Sequence, residues 1–135
     1  GMGGHLILRI LQAFPETVQQ CNWLVISPQS NIETVRRELQ KMNLRIIQED
    51  VVWEEEKYYS LLKLQPGRPD SYTEAELHTG KVELMVDRER FLQHMQYLVQ
   101  RQRWILQKAV ASKDAPRVSK LLEIYCDACR KGEKQ

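Results

Sequence analysis

The chain has 135 residues, 42% of them hydrophobic and 28% charged, which suffices for one modest domain with its own core and argues against wholesale disorder. It shows no signal peptide and no apolar run long enough to span a bilayer, and its three cysteines follow no framework spacing. The cysteine usage suggests a reducing compartment, and the cytoplasm is expected. The net charge of +2 is unevenly spread: residues 1–81 hold 9 Lys/Arg and 11 Asp/Glu, while residues 82–135 hold 11 and 7. The C-terminal part is thus the one suited to a polyanion.

Gly1-Met2-Gly3-Gly4 opens the chain. Three glycines in four positions allow a sharp turn and close approach to a ligand. They also fit a tag-cleavage scar followed by an initiator methionine in a flexible terminus. The mostly apolar run from His5 predicts a helix to about Phe14, stopped by Pro15. No strand precedes this glycine turn, as one normally would in an α/β protein. Trp23–Ile26 is wholly apolar and ends at Ser27-Pro28, the pattern of a strand buried on both faces in a parallel sheet. Ser30 or Asn31 then caps a helix whose stripe is Ile32, Val35, Leu39 and Met42, with Arg36, Arg37, Glu38 and Lys41 facing water. Asn43 is a natural stop.

Leu44–Glu54 and Lys57–Gln65 are rich in β-branched and aromatic residues, and only Glu55-Glu56 separates them, so an antiparallel hairpin is expected. Pro66–Ser71 is a loop. From Val82 the pattern changes. Phe91, Leu92, Met95, Leu98, Val99, Ile105, Leu106 and Ala109 keep a 3–4 spacing and predict one long helix. Ser112–Pro116 breaks it. Val118, Leu121, Leu122, Tyr125 and Cys129 form the stripe of a second helix, with polar, fraying residues from Arg130. The two make an antiparallel hairpin. The division is 1–81, a partial α/β domain, and 82–135, a helical hairpin.

Ser27-Pro28-Gln29-Ser30-Asn31 sits at the carboxyl end of a strand, the edge where open α/β sheets bind ligands; helix capping explains the same residues more simply. Arg101, Arg103, Lys108, Lys113, Arg117 and Lys120 lie near the link between the last two helices and suit RNA phosphates, or form an ordinary solvated face. Trp104 among them either stacks on a base or is buried at the helical seam. Cys126-Asp127-Ala128-Cys129 is a CxxC with no second pair and reads as a helical i, i+3 pair rather than a metal site. Glu54-Glu55-Glu56 is explained by the hairpin turn. No Ser-His-Asp or Cys-His arrangement is visible.

An ordered set of segments resembles the C-terminal portion of the bacterial tRNA adenine-N1 methyltransferases that act on the D-arm region. It comprises Gly1–Gly4 with its helix (the family's GMGG-x-L-I), Leu24-Val25-Ile26 to Pro28 (L-I-L-Q-P-N), Val35–Leu39, Ile46–Glu49, Lys57-Tyr58-Tyr59 (K-[FY]-Y-E), and the closing helical hairpin. The resemblance implies the C-terminal half of a Rossmann-like class I sheet, about three strands with the last two a hairpin, followed by a coiled-coil appendage. It implies S-adenosylmethionine as cofactor of the complete enzyme and tRNA as partner. Gly1, Met2, Gly3, Gly4, Pro28, Gln29 and Asn31 would then line the cofactor- or substrate-binding edge. The cofactor's glycine-rich motif and its ribose-binding acid lie in the family's first half, so a chain of these residues alone is expected to be inactive. Ser27, Gln29 and Ser60 depart from the family's Gln, Asn and Glu. The competing reading is a non-catalytic RNA-binding or oligomerisation module. An open edge on the Trp23–Ile26 strand predicts self-association there or through the hairpin.

Overall fold

The computed structural model describes residues 2–134. The chain forms two compact units, the first ending at Val86 and the second beginning at Asp87. Val82–Val86, assigned by sequence to the hairpin part, lie in the first unit. There a single turn of 3-10 helix (Val82–Leu84) leads to a bridge between Met85 and Glu49, and the Val86 N–H donates to the Glu49 carbonyl at 2.8 Å.

The first unit is mixed α/β. Helix α1 (Gly4–Ala13) ends before Pro15, as expected. Proline then serves as the first residue of a second short helix, α2 (Pro15–Gln20), because its missing N–H costs nothing at that position. Strand β1 is Leu24–Ile26, α3 is Ile32–Leu39 followed by a 3-10 turn to Met42, β2 is Leu44–Glu54, β3 is Lys57–Pro66 and α4 is Glu74–Thr79. Asn43 adopts the left-handed conformation (φ 54°) that ends the helix. Glu55 and Glu56 take φ 51° and 64° and close β2 on β3 as a two-residue turn.

The sheet order is β1-β3-β2, with both pairings antiparallel. The Trp23–Ile26 expectation is corrected here. The strand's partner in this chain is the antiparallel β3, and burial is one-sided: Ile26 is buried, whereas Val25 and Trp23 are exposed. β1 runs parallel to β2, with β3 between them. One core receives Ile7, Leu8 and Leu11 of α1, Val35 and Leu39 of α3, and Ile26, Leu44, Ile46, Leu62 and Leu64 of the sheet.

A bulge at Ile47 shifts the β2 register between Ile46 and Gln48. Before it the even-numbered residues Leu44 and Ile46 are buried; after it the odd-numbered Glu49 and Val51 are. The bulge thus carries a carboxylate into the interior. Arg36, expected in water, answers it: it is 2% exposed, 2.8 Å from Glu49 Oε1, and donates to the Leu77 carbonyl at 2.8 Å. α3, β2 and α4 are joined at this pair. Nearby burial raises the Tyr72 hydroxyl, and the charge of Glu49 adds to the shift.

The second unit is an antiparallel helical hairpin, α5 (Arg88–Ala109) and α6 (Ala115–Glu133). Phe91, Met95, Val99 and Gln102 of α5 and Val118, Ala128 and Gly132 of α6 are buried. The α6 terminus does not fray at Arg130: Gly132 packs against Phe91 and Leu92, and Arg88 donates to the Lys134 carbonyl.

Candidate functional site

The sequence marked the glycine turn and the loop after β1 separately; folding joins them. The Gly4 N–H donates to the Ser30 carbonyl at 3.1 Å, and the Gln29 N–H donates to the Met2 carbonyl at 2.9 Å. A Cβ on Gly4 would lie 2.5 Å from the Ser30 carbonyl oxygen and 2.8 Å from Val35, and one on Gly3 would lie 2.9 Å from Ser30 Oγ. The room left by the missing side chains is filled by the chain's own Ser30 and Val35. Gly3 and Gly4 therefore allow one loop to seat on the other. Gly1 lies outside the described residues.

The capping account of Ser30 and Asn31 fails. Asn31 precedes α3 in the left-handed conformation (φ 56°), and neither side chain bonds the first turn of that helix. Among the described residues the Asn31 amide donates to Ser30 Oγ, at 3.4 Å. Pro28 is buried, while Gln29, Ser30 and Asn31 are exposed along one rim. Gln29, Ser30 and Asn31 are held as an exposed polar rim by the backbone bonds that Gln29 and Ser30 make to the glycine turn.

That loop borders a hollow of about 430 Å³. Ser27 and Gln29 form one side, Glu54 and Glu55 the other, and Val52, Tyr59 and Leu61 the floor. The sequence reading assigned Glu54 and Glu55 only to the turn. Alternation along β2 and β3 places Val52, Glu54, Tyr59 and Leu61 on the sheet face opposite the core. An apolar, partly aromatic floor with a hydroxyl, an amide and two carboxylates on its rim suits a flat ring bearing N–H donors. Two of the three departures from the family pattern, Ser27 and Gln29, fall on this hollow. Ser60 faces the other side of the sheet, beside Val51.

A second cluster in this unit draws Glu33, Glu74 and His78 within 4.8 Å of one another. Arg37 already donates to Glu33 (3.1 Å) and Glu74 (2.7 Å). Burial holds the His78 imidazole below its usual pKa, against the opposing pull of the two carboxylates. The cluster is a latch between α3 and α4.

In the helical unit all six marked cations, Arg101, Arg103, Lys108, Lys113, Arg117 and Lys120, are exposed. Arg101 and Arg117 meet at a hollow of about 240 Å³ over Leu98, Ile105 and Tyr125. Trp104 is not at the seam; it is 60% exposed, with the Lys108 ammonium 5.6 Å from its ring. Tyr97, Arg101, Trp104 and Lys108 recur at spacings of 4, 3 and 4 and line one outer row of α5. Arg103 stands off that row, Lys113 lies in the link, and Lys120 lies on α6. Cys126 and Cys129 are half-buried on α6, where burial pushes the Cys129 thiol up. No helix among the described residues is long and apolar enough to cross a membrane.

The methyltransferase-domain family matches residues 1–62. No match was found among curated protein sequences. Among solved structures, that of the Streptococcus pneumoniae protein Sp1610 in complex with S-adenosyl-L-methionine is 20% identical, with a TM-score of 0.78 over 96% of this chain and 57% of that one. M. capricolum TrmK in complex with S-adenosyl-homocysteine is 17% identical, with a TM-score of 0.79 over 96% of this chain and 57% of that one. The B. subtilis m1A22 tRNA methyltransferase TrmK is 22% identical, with a TM-score of 0.64 over 98% and 59%. The chain thus spans a little under three-fifths of the length of these proteins. Helix, strand, helix, hairpin and closing helical pair follow one another in the resemblance drawn from the sequence, and the chain has the fold of the C-terminal portion of these Rossmann-like tRNA methyltransferase structures.

Proposed function

We propose that this chain is the C-terminal portion of an S-adenosylmethionine-dependent tRNA adenine-N1 methyltransferase of the cytoplasm. The observation that carries the reading is the seating of the glycine turn on the Ser27–Asn31 loop, at a strand's carboxyl edge, within a fold matched over nearly its whole length by cofactor-complexed structures. The cofactor belongs to the part of the fold that these residues do not span. When bound, it supplies the methyl group. This chain's share is to present the adenine. Ser27, Gln29, Glu54 and Glu55 rim the hollow that takes the base, and the Tyr97–Lys108 row with Arg103, Lys113, Arg117 and Lys120 holds the tRNA backbone. Holding the target nitrogen in line with the methyl carbon is the main demand of such a transfer.

A polypeptide of these residues alone neither binds the cofactor nor methylates, and it self-associates through the open β1 edge or the hairpin. The test is mass spectrometry of tRNA nucleosides after incubation with S-adenosylmethionine and the native gene product isolated from its own cell. The appearance of 1-methyladenosine supports the reading. Its absence, with tRNA still bound, would move a non-catalytic RNA-binding module to the front; the exposed Trp104 beside Lys108 is the observation that favours that second reading.

A further inference from the structure

Buried polar side chains nearly always have a hydrogen-bond partner. Gln102 of α5 is 8% exposed, yet among the described residues its side-chain amide makes no hydrogen bond. It lines the hollow of about 240 Å³ in the helical unit. An apolar residue at that place would cost less if packing were its only task. Leu98 and Ile105, one turn to either side of Gln102 on α5, lie on the same face of the helix, and Tyr125 of α6 closes the opposite wall. Arg101 and Arg117, one from each helix, border the hollow and are exposed. Neither guanidinium has a carboxylate partner among the described residues. Two such groups suit one phosphate, which each can hold through paired N–H donors. The amide offers a base a donor and an acceptor on one flat edge, and the leucine, isoleucine and tyrosine side chains offer the faces of the ring an apolar surface.

We infer that this hollow is a site for one unstacked nucleotide. The base enters between the helices onto Leu98, Ile105 and Tyr125 with its edge on the Gln102 amide, and its phosphate is held by Arg101 and Arg117. An unpaired nucleotide of an RNA and a free nucleoside monophosphate share this chemistry. A double helix does not fit, because its bases are already paired and stacked. The outer row from Tyr97 to Lys108 shares Arg101 with the hollow, so a strand laid along that row passes the opening. The inference rests on the reading above for RNA as the natural source of the nucleotide, and the two fail separately. Absence of 1-methyladenosine removes the methyltransferase and leaves the site; an unoccupied Gln102 removes the site and leaves methylation.

Calorimetric titration of the 135-residue chain and its Gln102→Leu variant tests it with three probes: a short single-stranded RNA, the same RNA annealed to its complement, and adenosine 5′-monophosphate. Gln102→Leu removes an amide without a partner and keeps an apolar stem, so the melting temperature should hold or rise. The single strand is expected to bind more tightly than the duplex, and Gln102→Leu to weaken the single strand about threefold to tenfold, the worth of one hydrogen bond, while leaving the duplex unchanged. If the monophosphate binds as tightly as the single strand and also weakens in Gln102→Leu, the site stands with a free nucleotide as its ligand. Unchanged affinity of Gln102→Leu for both the single strand and the monophosphate overturns the inference. Should Gln102→Leu fail to fold, the unaltered chain decides: the nitrogen-15 resonance of the Gln102 side-chain amide must move on saturation with the single strand or the monophosphate, and a resonance that stays in place with both overturns the inference.

Discussion

Arg36 and Glu49 show how one residue's position decides a local architecture. Both are 2% exposed, and each leaves a polar atom, Arg36 Nε and Glu49 Oε2, without a hydrogen-bond partner among the described residues. Such a pair contributes little net stability, because desolvation offsets attraction, but removing one partner strands the other. Glu49→Ala is expected to destabilise the fold by about 3–5 kcal/mol, while Arg36→Met combined with Glu49→Leu recovers most of that loss; urea midpoints of the three proteins check it. His78 sets a different dependence. Burial lowers its pKa from 6.5 in the fold, so the unfolded chain takes up the proton first as the pH falls. Stability is unaffected above that value, declines below it, and levels once the folded imidazole also titrates. Urea denaturation at pH 7.5 and 5.5 should show this loss, and His78→Gln should reduce it. Neither feature was legible in the sequence. Arg36 flanks the apolar stripe of α3, where an amphipathic pattern assigns charge to water, and the bulge at Ile47 that turns Glu49 inward leaves no mark on a β-branched run.

At the scale of elements, long periodic segments were readable and short ones were not. The β2–β3 hairpin and the α5 stripe follow from alternation and from 3–4 spacing. The six-residue helices α2 and α4 are too short for periodicity, although Thr73 and Glu76 form a capping box that marks the start of α4. The hollow was half visible: Ser27 and Gln29 stood out at a strand's end, but Glu54 and Glu55 join them only because β2 and β3 fold the turn back toward that end. Of the two alternatives the sequence left for Trp104, the structure excludes burial at the seam: the ring is exposed and shares the outer row of α5 with Arg101 and Lys108. That row gives a prediction about tRNA binding. Trp104→Ala should leave the melting temperature unchanged, since the ring is exposed, and weaken tRNA binding by about 1–3 kcal/mol if the ring stacks on a base. Arg101→Gln should weaken binding less at high salt than at low salt, lowering the slope of log K against log salt by roughly 0.7–0.9 for each phosphate that Arg101 engages. Filter binding over a salt series separates stacking from charge. Equal salt slopes for wild type and Arg101→Gln would remove Arg101 from the proposed RNA-binding row.

The molecule as a whole divides the labour of its fold unequally. The first unit holds the polar rim of the hollow beside Ser27 and Gln29, and the second carries the cationic excess, +5 over residues 87–135 from 11 basic and 6 acidic residues. At Gly3 and Gly4 the space a side chain would take is occupied by Ser30 and Val35. The stretch matched by the methyltransferase-domain family stops at residue 62, and the helical unit lies beyond it. Cofactor affinity and RNA affinity should therefore separate when the 135-residue chain is studied alone. Equilibrium dialysis with S-adenosylmethionine is expected to show no binding at micromolar concentration, while the same sample retains salt-sensitive binding to tRNA. Micromolar cofactor binding by this chain would mean that the glycine turn and the Ser27–Asn31 loop suffice for a site, and this division of roles would have to be abandoned. Loss of both affinities would remove the proposed RNA-binding role from the helical unit.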